Sequence, residues 1–208
     1  MRTIKLEAWG EYACFTRPEM KAERVSYDVM TPSAARGVIE AIYWKPEIRW
    51  VVDEIHVLNP IKWMSIRRNE VAGKASPGNP IYIEDQRQQR STLLLRNVRY
   101  GIVAHFEVLP HNPELDKGDN TASKHLEIFT RRAAKGQHFH HPYFGCREFA
   151  ANYRLATEGF SPSRLPESQR NRNLGAMLYD LAWPDQRAKV FHAQMINGVV
   201  ATPEWAAQ

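Results

Sequence analysis

Two stretches of this chain carry a helical period with start and stop signals at their ends. The first opens at Thr31-Pro32-Ser33, a helix-start pattern with proline at or near the first helical position. Ala34, Val38 and Ile42, together with Ala35 and Ile39, then recur at three- and four-residue spacing, which predicts one core-facing stripe. Pro46 stops this helix just after Trp44. The second runs from Thr121 to Lys135, capped by Asn120 or Thr121 and closed by Gly136.

Around these helices the apolar residues mostly alternate. Ile4, Leu6 and Ala8 interleave with Lys5, Glu7 and Trp9, predicting a first strand. A second short extended piece is expected over Val25–Val29. Ile48–Leu58 reads as a strand whose alternation shifts near Asp53. Ile61–Val71 reads as a strand interrupted at Arg67-Arg68-Asn69-Glu70, and the Gly/Pro/Ser-rich stretch 73–80 as a loop tip. Thr92–Tyr100 and Ile102–Leu109 read as two strands meeting in a tight turn at Gly101. The polar stretch 110–120 reads as a loop, and Cys146–Tyr153 as a strand. Strands are also expected at Ala176–Trp183, Lys189–Ile196 and Val199–Val200.

The resulting order is strand, helix, strand pair with an insertion, strand pair, helix, strand. It fits an α+β chain with an elaborated βαββαβ ferredoxin-like unit over residues 1–157. A basic hairpin insertion is expected at about 62–90. The polar stretch 158–173, with two prolines, marks a boundary before a small antiparallel β-sheet domain over 158–208.

The charge balance is basic: 28 Lys plus Arg against 23 Asp plus Glu, a net +5 and a pI near 9.3. Such a balance is one mark of a nucleic-acid binder. Arginines pair at Arg67-Arg68 and Arg131-Arg132, and a guanidinium fork can donate two hydrogen bonds to one phosphate. The two cysteines, Cys14 and Cys146, form no CxxC and no zinc spacing with histidine. The N-terminus mixes charge and apolarity and does not read as a signal peptide, and no apolar run approaches a membrane span. The expectation is a cytoplasmic protein with no membrane association.

Several residues could carry chemistry. Tyr43 lies beside the first helix's core stripe, so its hydroxyl could reach a site at the helix end; an aromatic packed at the terminus fits the same pattern. Lys124-His125 brings an imidazole, the side chain suited to proton transfer near neutral pH, next to a cation in a first helical turn. A solvated first turn is the plainer account. Two cations there oppose the helix dipole, however, which hints at a cause other than stability. Lys124, Arg131 and Lys135 lie along roughly one helix face, with His125 and Arg132 on the adjoining stripe. His138, His140 and His141 are close in sequence, but no carboxylate or cysteine completes a metal set. Stacking of these rings and Phe139 or Tyr143 on nucleobases fits the segment better.

Taken together, these segments resemble one family. Trp9-Gly10-Glu11-Tyr12-Ala13-Cys14-Phe15 resembles its opening, and Tyr27-Asp28-Val29-Met30-Thr31-Pro32-Ser33-Ala34-Ala35-Arg36-Gly37 its entry into the first helix. Thr92-Leu93-Leu94-Leu95-Arg96-Asn97-Val98 and Lys124-His125-Leu126-Glu127-Ile128-Phe129-Thr130-Arg131-Arg132 follow in order. Gly136-Gln137 and Pro142-Tyr143-Phe144-Gly145-Cys146-Arg147-Glu148-Phe149 complete the pattern. It is similar to the CRISPR-associated Cas-five family, subtype I-C (Dvulg), over most of residues 1–155.

The resemblance implies an RNA-recognition-motif-like N-terminal domain and a small β-sheet C-terminal domain. It implies cleavage of precursor CRISPR RNA at the base of the repeat hairpin, with no metal or other cofactor, leaving a 2′,3′-cyclic phosphate. The RNA's own 2′-hydroxyl would be the nucleophile. The implied catalytic residues are Tyr43, Lys124 and His125. Arg36, Arg67, Arg68, Arg131, Arg132 and Arg147 are the expected RNA contacts. Expected partners are the precursor repeat RNA and the backbone and large subunits of a type I-C interference complex. Two rival readings stand beside this one: a non-catalytic subunit that holds the 5′ handle of the guide RNA, and a general nucleic-acid binder that also takes duplex DNA.

Overall fold

Alternation decides the first strand. β1 (Thr3–Ala13) buries Ile4, Leu6 and Ala8 on one face. Residues directly opposite in an antiparallel pair share a face. Leu6 therefore shares its face with Ile102, and Ile102 with Ile55; all three are fully buried. That face also carries Trp50, whose ring meets Phe129 of the second long helix at 4.9 Å. The helices thus cover this side, and the core lies between them and the sheet. The computed structural model describes residues 3–20, 23–74, 76–78, 80–109, 121–182 and 187–204. The loop read over 110–120 lies outside them.

After β2 (Arg24–Val25) comes α1 (Pro32–Ile42). Thr31 caps it by accepting a hydrogen bond from the Ala34 amide, with Pro32 at the first position. Tyr43 returns to extended backbone and ends the helix. β3 (Ile48–Val57) carries a bulge between Val52 and Glu54, where the alternation breaks in the sequence. β4 (Trp63–Val71) and α2 (Ile83–Gln86) lead into β5 (Arg87–Val108). α3 (Ala122–Ala134) follows, capped by Thr121 and closed by Gly136 at φ +65°. β6 (Asn152–Leu155), α4 (Glu167–Arg170), β7 (Arg172–Ala182), β8 (Arg187–Ile196) and β9 (Val199–Ala201) complete the described order.

The strands form one sheet in the order β6-β1-β5-β3-β9-β8-β7, with β2 and β4 on the N-terminal half of β5. Every described pairing is antiparallel except β2 with β5. The sheet carries from the first 157 residues into the last 51 through β3–β9, where Ile55 pairs with Val200. α1 is tied to β7 by Arg36, whose guanidinium makes two contacts to the Asp180 carboxylate. Among the described residues no helix is long and apolar enough to cross a membrane.

Three expectations need correction. No turn exists at Gly101: β5 is one strand of 22 residues. Gly101 is a site of close approach, since a Cβ there would stand 2.7–2.8 Å from three atoms of the Phe160 ring. The strand instead bends at Asn97, at φ 52°, where its pairing passes from β4 to β3. Asparagine tolerates that left-handed backbone better than other non-glycine residues. Second, β4 runs unbroken through Arg67–Glu70, because its charges pair with neighbours: Glu70 meets Arg68, Arg90 and Arg24. Third, Cys146–Tyr153 is mostly a turn held by the Tyr143–Ala150 bridge, and only 152–155 pairs as a strand. Gly145, at φ +79°, lets this turn pass against the Cys14 carbonyl, which a Cβ would meet at 2.0 Å.

The stretch 158–165 crosses the sheet face opposite the helices. Phe160 covers Gly101, Ser161 bonds Glu7, Arg164 donates its amide to the Leu58 carbonyl, and Leu165 is buried.

Candidate functional site

The stop of α1 and the first turn of α3 meet over the end of the sheet. Tyr43, in the residue that ends α1, places its hydroxyl 2.7 Å from Nδ1 of His125. Tyr43 is 2% exposed and His125 6%. Three features hold the tyrosine: Trp50 donates its indole N–H to the Tyr43 carbonyl at 2.9 Å, its amide bonds the Ile39 carbonyl, and Arg132 lies 5.4 Å over its ring. The histidine ring packs edge-on to Phe106 at 6.1 Å. Two residues 82 apart are thereby joined by their side chains.

Burial pushes the Tyr43 hydroxyl above the usual phenol range, with Glu47 acting the same way and Arg132 opposing. At neutral pH it is a protonated phenol that can donate or accept. The hydroxyl engages Nδ1, and the tautomer set there decides whether Nε2 donates or accepts. Arg132 also donates to the Ile42 carbonyl at 3.2 Å, so the same guanidinium caps α1 and faces the Tyr43 ring.

Lys124 is exposed beside His125, its amide bonded to the Thr121 hydroxyl. Successive helical residues diverge by about 100°. The ammonium and the imidazole therefore flank the same helix start from two sides. Arg131 is exposed one position before Arg132. The other predicted arginines stand elsewhere. Arg36 is held by Asp180 and Glu40. Arg68 bonds Thr92 and pairs with Glu70 and Glu148, while Arg67 is exposed on the other face of β4. Arg147 is exposed in the turn beside Glu148.

The sequence reading missed Glu47 and Phe106. Glu47 has a buried carboxylate oxygen with no hydrogen-bond partner among the described residues. Nothing in the Pro46 turn announces it. Arg132 was legible, seven residues and two turns from His125. Among the described residues no cluster of three His, Cys, Asp or Glu is placed to hold a metal ion. His138 bonds the Tyr153 hydroxyl and His140 stacks on Tyr143, so the clustered histidines turn to separate partners.

An antiparallel sheet with two long helices on one face, and a buried tyrosine–histidine contact joining those helices, defines an α+β protein. Solved structures share the fold. One titled a CRISPR-associated protein is 25% identical, with a TM-score of 0.73 over 97% of this chain and 92% of the other. A chain from a CRISPR RNA-guided surveillance complex, 14% identical, matches at a TM-score of 0.56 over 97% and 90%. The family described as CRISPR-associated protein (Cas_Cas5) matches residues 3–203, and this chain belongs to that family. The CRISPR pre-crRNA endoribonuclease Cas5d of Mannheimia succiniciproducens is 47% identical over 99% of this chain and 96% of that protein. The protein of the same description from Thermus thermophilus is 46% identical over 88% and 75%.

Proposed function

We propose that this chain is a metal-independent endoribonuclease that cuts precursor CRISPR RNA at the base of its repeat hairpin. It then stays on the product as a subunit of the interference complex. The observation that carries the reading is the 2.7 Å contact between Tyr43 and His125, made by two segments that resemble the processing members of the family. The 46–47% identity to two proteins described as pre-crRNA endoribonucleases supports it.

In this reading the 2′-hydroxyl attacks the adjacent phosphate, and its oxygen replaces the 5′-oxygen to leave a 2′,3′-cyclic phosphate. His125 moves a proton through Nε2, as base for the 2′-hydroxyl or acid for the leaving oxygen. Tyr43 holds the ring and selects its tautomer. Lys124 meets the charge that grows on the phosphorane. No step calls for a metal. The order β1-α1-β3-β5-α3-β6, with the spatial order β6-β1-β5-β3, supports a ferredoxin-like core in residues 1–157. The β7-β8-β9 run supports a small β unit in 158–208.

The non-catalytic reading, a subunit that only holds the RNA handle, has one observation on its side: His125 is almost wholly buried. A gel assay separates the two. End-labelled repeat hairpin is mixed with excess protein in EDTA. One cut at the hairpin base is expected, slowed about 100-fold or more by His125→Ala and clearly slowed by Tyr43→Phe. Intact RNA that still shifts in a binding gel refutes cleavage and leaves the handle-binding role.

A further inference from the structure

After α3 the chain turns at Gly136 and presents Phe139 to solvent with 84% of its surface exposed. The backbone under it is pinned: the Phe139 amide donates to the Ala41 carbonyl at 2.8 Å, and the Gln137 amide to the Arg132 carbonyl at 2.9 Å. Its neighbours are committed elsewhere, His138 to Tyr153 and His140 to Tyr143. The Phe139 ring lies edge-on to His140, with ring centroids 6.1 Å apart. A rigid turn that holds an apolar ring in water forgoes the gain that burial would bring, so folding does not explain its placement.

Arg132, Gly136, Gln137, His138 and Phe139 line an open depression of about 530 Å³. Arg132 belongs to both this depression and the Tyr43–His125 pair, through its place over the Tyr43 ring. Seven residues of helix separate His125 from Arg132, about 10 Å along the axis. A strand of RNA crossing the pair would therefore reach the depression within a nucleotide or two.

We infer that Phe139 is a stacking platform for one unpaired nucleobase next to the cleaved phosphate, with the Arg132 guanidinium bordering the same depression. This deepens the proposed reading and rests on it. An exposed aromatic ring beside a guanidinium suits a base, whose face stacks and whose backbone is anionic. Because Phe139 packs on almost nothing, its replacement spares the fold.

The test uses the whole protein and repeat RNA in which 2-aminopurine replaces, one at a time, the unpaired nucleotides flanking the hairpin base. One position should be quenched on binding to wild type and to Phe139→Trp. Phe139→Ala and Phe139→Leu should both lose that quenching and bind about tenfold more weakly. Wild-type affinity and unchanged quenching in Phe139→Ala overturn the platform and point the ring toward a protein neighbour. If wild type binds without cutting, the nuclease reading alone falls, and quenching still decides the platform. If wild type does not bind, both fall.

Discussion

At the scale of single residues, Glu7 shows how a buried charge is held by its partners. Glu7 is fully buried, yet its carboxylate accepts from the Ser161 amide and hydroxyl at 2.8 Å each, from Arg99 at 2.5 Å and from Arg154 at 2.6 Å. Burial pushes this carboxyl up, but the hydrogen bonds from Ser161 and then Arg99 outweigh it, and the group ionises below its usual range. A carboxyl lowered on folding adds stability above its unfolded pKa, about 4.3. That stability is lost as pH falls through the lower folded value. Glu7→Gln should cost about 2 kcal/mol at neutral pH, a Tm drop of roughly 4–8 °C. The difference from wild type should shrink on acidification, and thermal melts from pH 7 to pH 3 check this. The Tyr43–His125 contact obeys the same rule. Tyr43→Phe removes the hydroxyl that meets Nδ1 of the buried His125 and should destabilise by about 1–3 kcal/mol, measurable by urea titration.

Among elements, β5 does the most. Its 22 residues serve β4 and β2 with one half and β3 with the other, the change falling at the Asn97 bend, while β1 pairs on both sides of that bend. Gly101 lies in the second half because the strap at 158–165 must press Phe160 onto the strand backbone. Gly101→Ala should therefore cost about 1–3 kcal/mol through overpacking. Adding Phe160→Ala should recover much of that, so the double-mutant cycle gives a coupling clearly different from zero. Additive losses would mean that Phe160 and Gly101 do not press on each other. Two other glycines differ from this position: Gly136 needs positive φ alone and Gly145 needs both positive φ and room, whereas Gly101 needs room alone.

For the whole molecule, the net +5 charge is not spread evenly. Arg24, Arg68 and Arg90 are paired with Glu70 or Glu148 and add little free field. Arg131 on α3 and Lys135 at its C-terminal cap are exposed. If RNA lies along α3, Arg131→Ala with Lys135→Ala should lower the slope of log affinity against log salt by about 1.4, or roughly 0.7 per lost phosphate contact on a single strand. Filter binding at several salt concentrations measures it. An unchanged slope would place the RNA off this helix.

The sequence by itself determined the local pieces. Both long helices, the Pro32 entry of the first, the β3 bulge and the core alternation of β1 were legible, because each depends on residues within about a turn of one another, whereas α1 ends at Ile42, short of the stop expected at Pro46. Tyr43 and His125 were legible as candidates through their chemistry and through the family resemblance. Their contact was not, since it joins residues 82 apart through the packing of two helices on one sheet face. Gly101 was misread for the same reason: in sequence a glycine marks a turn or a close approach equally well, and only Phe160, 59 positions away, decides between them. Glu47, the seating of Arg132 over Tyr43 and the exposure of Phe139 are likewise products of tertiary packing, which sets what lies beside a side chain without leaving a periodic trace in the chain.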